Sequence, residues 1–164
     1  MTPLAMAHYT VGIADMRVVA QEEGILITHA LGSCLGITIF DPVAQVSGMV
    51  HVMLPLSNID PAKATQKPCM FVDTGVPHMF EEMFRLGGRM EHMVLKVAGG
   101  ANIMDTNDRF KIGQRNHQTL RKLLWKNNLL IEAEDVGGER SRTMTLDMTT
   151  GRVTLRSNNE SWDL

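Results

Sequence analysis

Cys34 is the residue of this chain best placed to act as a nucleophile. It follows Leu31-Gly32-Ser33, a turn that separates the apolar run 24–28 from the alternating run 35–40. A side chain on such a turn is exposed, and the backbone N–H groups of Gly32, Ser33 and Cys34 itself can converge beside it. Donors of that kind stabilise an oxyanion, by up to ~3–4 kcal/mol each. A thiol with an ordinary pKa of about 8.5 is mostly protonated at neutral pH, so it needs a base. The competing reading is a small buried hydrophobe, the common fate of a free cysteine. Cys69 fits that second reading. It lies between Pro68 and the apolar Met70-Phe71-Val72, with no glycine turn beside it.

Six histidines compete to be the base. If runs 35–40 and 46–54 form a hairpin in which Asp41 opposes Val46, the partner of Cys34 falls near Val52 or Met53. His51 is then within reach of Cys34, although the face it takes is not fixed by sequence. His29, beside the turn, is the rival. His8, His78, His92 and His117 read as surface or packing residues. Gly99-Gly100 after a strand reads as a tight turn, since no phosphate-binding glycine pattern follows it. Asp105, Asp108, Glu132, Glu134 and Asp135 stand at no metal-ligand spacing, and there is no CxxC or HExxH arrangement.

The elements that must position these residues follow from periodicity. Stretch 9–19 reads as a first strand. In 35–40, Leu35, Ile37 and Ile39 share one face, and Asp41-Pro42 ends the strand. In 46–54, Val50, Val52 and Leu54 share a face opposite Met49, His51 and Met53. Stretch 57–67 is polar, holds Pro61 and reads as a loop. Asp73-Thr74-Gly75-Val76-Pro77 suits a helix start, and Met79, Phe80, Met83 and Phe84 give it an apolar stripe before Gly87-Gly88. A strand at 92–98, a helix at 116–126 and strands at 130–136, 143–147 and 152–156 complete the chain, with a hairpin turn at Thr149-Thr150-Gly151. About eight strands and two helices result, the first strands antiparallel, in an α+β sheet core with helices outside.

Composition narrows the function. With 164 residues, the chain reads as one domain, 1–164, with its core at about 9–156. A formal charge of −2 and only 5% aromatic residues argue against a nucleic-acid binder. No stretch has the length of an apolar membrane span, and the first residues do not read as a signal peptide. Two cysteines make no disulfide framework, so the expected compartment is the cytoplasm.

Two blocks then become telling. Thr28-His29-Ala30-Leu31-Gly32-Ser33-Cys34 and Gly48-Met49-Val50-His51-Val52-Met53-Leu54-Pro55 resemble the T-x-x-L-G-S-C and G-M-x-H-x-x-L-P blocks of the chemoreceptor glutamine deamidase family CheD. The likeness continues through Val72-Asp73-Thr74-Gly75, Gly99-Gly100-Ala101-Asn102, Arg115-Asn116 and Glu134-Asp135-Val136-Gly137-Gly138. The resemblance implies Cys34 as nucleophile, His51 as base and Thr28 as the residue that orients the histidine, so it favours His51 over His29. It implies a β-sandwich-like core with two main flanking helices, like that of toxin-type (CNF-like) deamidases. It implies no cofactor or metal. The implied substrates are glutamines on the cytoplasmic helices of methyl-accepting chemotaxis receptors, and the implied partner is the CheC phosphatase. The alternatives are a non-catalytic module that binds receptors or CheC, and a receptor methylesterase using the same Cys–His pair.

Overall fold

A computed structural model describes residues 6–103 and 111–164; Asp105 and Asp108 lie outside them. Ten strands appear there: β1 (Ala7–Thr10), β2 (Met16–Ala20), β3 (Gly24–Leu31), β4 (Leu35–Asp41), β5 (Val46–Val52), β6 (Val94–Gly99), β7 (Ala133–Val136), β8 (Arg142–Asp147), β9 (Val153–Ser157) and β10 (Glu160–Asp163). They form two five-stranded sheets, ordered β1-β3-β8-β9-β10 and β2-β5-β4-β6-β7. Both sheets are mixed, because β1 runs parallel to β3 and β6 runs parallel to β7. The helices are α1 (Pro61–Gln66), α2 (Val72–Arg85) and α3 (Ile112–Lys126). The expected α+β class and sheet core hold.

Three layers follow from strand alternation. In β4, Leu35, Ile37 and Ile39 pack with Val76, Met79 and Met83 of α2 and with Leu120 and Leu124 of α3. On the other face of the same sheet, Phe40, Met49 and Ala98 pack against Leu26, Met144, Leu146 and Leu155 of the first sheet. The second sheet is therefore covered on both faces, which is why β4 and β5 are buried along their whole length. The hairpin register is the expected one, with Asp41 opposite Val46 and Leu35 opposite Val52.

Several expectations need correction. Stretch 9–19 is two strands in different sheets, broken where Ala14 takes a left-handed conformation (φ 59°). The first strands are accordingly not a run of antiparallel neighbours: β1 and β3 are parallel, and β3 and β4 belong to separate sheets. The polar stretch 57–67 holds α1, because Pro61 occupies its first turn and Asp60 accepts a hydrogen bond from the Lys63 N–H at 3.0 Å. α3 begins at Ile112, before the expected 116, and β10 was not foreseen. In α3, Gly113 does not break the helix. It allows close passage, since a Cβ there would press on the Gly100 carbonyl at 2.5–2.6 Å.

Candidate active site

The turn at Gly32, Ser33 and Cys34 carries the chain from one sheet to the other. Just before it, β3 bulges. Thr28 opposes Met144 and Leu31 opposes Arg142, so one extra residue is accommodated, and Ala30 sits at φ 56°. Bulges of this type re-aim side chains. Here Leu26, Thr28 and Leu31 all turn inward and are fully buried, while His29 is exposed. His29 lines a polar depression on the outer face of its sheet with Thr143, Thr145 and Arg156. The two candidate bases are thus separated by the sheet itself.

His51 points into the space between the sheets and is 1% exposed. It is the cross-strand partner of Gly36, and Cys34 lies two residues before Gly36, beyond the last ladder pair. In a ladder that continued to Cys34, such diagonal neighbours would lie about 7–8 Å apart. Cys34 is half-buried at the rim of the inter-sheet cluster. His51 is fixed on both main-chain sides by the segment joining β1 to β2. Its N–H donates to the Asp15 carbonyl at 3.1 Å, and its carbonyl accepts from the Ala14 N–H at 2.9 Å.

Thr28 meets His51 across the sandwich, with Oγ1 2.7 Å from Nδ1. The Thr28 hydroxyl donates to the Val11 carbonyl at 2.7 Å. A hydroxyl has a single proton, so toward His51 it accepts. Nδ1 therefore carries the hydrogen, and Nε2 keeps its lone pair. Nε2 is buried with no hydrogen-bond partner among the described residues, the Cys34 thiol included.

Burial sets the charge states. It lowers the His51 pKa from 6.5 to about 4, leaving a neutral imidazole at pH 7. It raises the Cys34 thiol above its ordinary value, although the residue's own N–H works the other way. The resting pair is thus thiol and imidazole, not an ion pair. Cys69 differs. Burial and then the Asp15 charge push it up to about 11, and it lies buried under α2.

Gly99 and Gly100 brace the turn from the opposite side. Gly100 N–H donates to the Cys34 carbonyl at 2.9 Å, and Ala101 N–H donates to the Gly32 carbonyl at 2.8 Å. Gly99 takes φ 110°, and a Cβ there would run into the Cys34 carbonyl oxygen. The tight turn expected here is not formed: Gly99 closes β6, Gly100 follows it without a hydrogen-bonded turn, and the pair supports Cys34 instead. Two side chains in these braces had no assigned role in the sequence reading. Buried Arg142 pairs with Asp135 at 2.8 Å and donates to the carbonyls of Gly99 and Gly137. Asn116 donates to the carbonyls of Ser33 and Met53. Both lie in or beside the sequence blocks that carried the family likeness. Among the described residues, no group of His, Cys, Asp and Glu is arranged to hold a metal ion.

The family profile described as "CheD chemotactic sensory transduction" matches residues 53–157, more than half of the chain. The chain belongs to the CheD family. It is 45% identical over 159 residues to a protein of Solibacter usitatus named "Probable chemoreceptor glutamine deamidase CheD", covering 97% of this chain and 94% of that one. A CheD protein of Syntrophus aciditrophicus with the same description is 45% identical, with 93% and 95% covered. One from Pyrococcus abyssi is 39% identical, with 89% of each covered. The matched profile starts two residues after His51, so the near-complete coverage of these CheD relatives is what extends the similarity to the N-terminal part of the chain.

Proposed function

We propose that this chain is a chemoreceptor glutamine deamidase, with Cys34 as nucleophile, His51 as general base and acid, and Thr28 as the residue that orients the imidazole. The Thr28–His51 hydrogen bond carries the reading, because it leaves Nε2 unprotonated on a histidine whose cross-strand partner, Gly36, lies two residues after Cys34. The names of the CheD relatives support the substrate class.

In the proposed reaction the thiol and Nε2 close to hydrogen-bond distance when substrate binds, as catalytic pairs commonly do. Nε2 takes the thiol proton and the sulfur bonds to the glutamine Cδ. The carbonyl oxygen becomes an oxyanion, and backbone N–H groups of the Ser33–Cys34 turn stabilise it. The imidazolium then gives its proton to the nitrogen, the C–N bond breaks and ammonia leaves. His51 next deprotonates a water, which attacks the thioester. The C–S bond breaks, the thiolate recovers the proton, and glutamate remains. The proposed substrates are glutamines on cytoplasmic receptor helices, and the proposed compartment is therefore the cytoplasm. Among the described residues no helix is long and apolar enough to cross a membrane. CheC is the proposed regulatory partner, on the family resemblance alone.

The test is deamidation of a receptor cytoplasmic fragment, followed by mass shift and ammonia release. Cys34→Ala is expected to abolish it and Cys69→Ala to leave it largely intact. Equal loss in two folded variants overturns the nucleophile. Hydrolysis of a glutamate methyl ester with no reaction at the amide makes the protein a methylesterase. Receptor binding without either product makes it an interaction module.

A further inference from the structure

Asn116 lies in the second turn of α3 and is fully buried, at 0% exposure. Its Nδ2 group donates twice, to the Ser33 carbonyl at 3.0 Å and to the Met53 carbonyl at 2.9 Å. Ser33 immediately precedes Cys34, and Met53 lies two residues beyond His51. The β4–β5 ladder stops between them, at Leu35 opposite Val52. One further step would oppose Cys34 and Met53, but the Met53 N–H turns away to the Met70 carbonyl at 2.8 Å. The Asn116 carboxamide stands where the next rung would be.

Its Oδ1 has no hydrogen-bond partner among the described residues, although it is buried. An unpaired buried acceptor costs about 1–3 kcal/mol, and native proteins keep few of them. A side chain that only filled this space would carry no such oxygen. The two donated bonds are what the amide contributes, and both acceptors flank the reacting pair.

We propose that Asn116 is a positioning residue whose carboxamide sets the spacing between the Cys34 turn and the end of the His51 strand. The proposal rests on the reading of Cys34 and His51 as nucleophile and base. Displacement of a reacting group by ~1 Å can cost on the order of 10²-fold in rate, so an amide that bridges both strands has a large effect without touching substrate. The same bridge holds the Cys34 turn down against the inter-sheet cluster, where burial keeps the thiol protonated.

Two variants of the full chain test this. Asn116→Ala removes both donors. Asn116→Asp keeps the shape and sets carboxylate oxygens against two carbonyl oxygens. For each, kcat and KM for a receptor fragment are measured beside a thermal melt. Alkylation of Cys34 by iodoacetamide is followed across pH by peptide mass. Cys69 is the internal monitor, since it stays unmodified while the chain is folded. The expected result is a fall in kcat of about 10–100-fold with KM changed by less than about threefold. Cys34 should meanwhile alkylate faster, with its pH midpoint moved down toward an ordinary thiol value of about 8.5. Slower catalysis with a more reactive thiol is not what a merely structural residue gives. A folded variant with wild-type kcat overturns the proposal. So does a rate loss that matches the unfolded fraction and the modification of Cys69. Activity that survives Cys34→Ala instead removes the nucleophile assignment, which the Asn116 variants do not address.

Discussion

The Thr28 hydroxyl has one proton, and the Val11 carbonyl takes it. That small fact selects the His51 tautomer, because the hydroxyl then has only lone pairs to offer Nδ1. Thr28→Ala would leave two buried polar groups unpaired, the Val11 carbonyl and the His51 Nδ1–H. We expect it to cost about 1–3 kcal/mol of stability and to lower single-turnover deamidation by about 10–100-fold. Thr28→Ser restores the hydroxyl but not the β-branched stiffness that holds one rotamer, so its rate should lie between Ala and wild type. An Ala variant with full activity would show that the hydroxyl has no catalytic role. Without the resemblance, nothing marked Thr28. A threonine closing an apolar run is ordinary strand composition, and its role arises only when a second sheet brings His51 against it.

Among elements, the crossover turn matters most, and its glycines are separable by experiment. Gly99 and Gly87 both take positive φ, at 110° and 101°. A Cβ at Gly99 meets the Cys34 carbonyl, whereas one at Gly87 meets nothing within 4 Å. Both Gly→Ala variants should therefore lose stability through backbone strain, of order 1–3 kcal/mol, as read by a thermal melt. Only Gly99→Ala should also lose deamidation in the folded protein. Parallel losses of activity in both would mean that contact with Cys34 is unimportant. The hairpin was legible because Asp41-Pro42 marks its turn and ladder counting does the rest. The face of His51 was not, because it depends on which sheet stacks where. The β3 bulge and the break after β1 rest on Ala30 and Ala14 in left-handed conformations. Alanine gives no warning of that, as glycine or asparagine would. The expected helix began at Asn116, but Gly113 lies in the turn before it and serves the close passage of α3 over Gly100.

At the scale of the molecule, the layered packing that buries His51 also makes folding sensitive to acid. The unfolded chain holds this imidazole at an ordinary pKa of 6.5, and the folded chain at about 4. Above pH 6.5 both states hold it neutral, and it adds no pH dependence. As pH falls from 6.5 toward 4, the unfolded chain takes up a proton that the folded chain refuses. Stability is lost through that window, by up to about 1.4 kcal/mol per pH unit. Other groups titrate there too, so the measurement is a difference: unfolding free energies of wild type and His51→Asn by denaturant between pH 7 and 4.5. The margin of wild type over the variant should shrink, or turn negative, as pH falls below 6.5. A constant margin would mean that His51 keeps its ordinary pKa when folded, so that solvent reaches the inter-sheet space. The same low pKa keeps Nε2 ready to accept a proton throughout that range, because the apolar layers that weaken the fold in acid are what hold the base unprotonated.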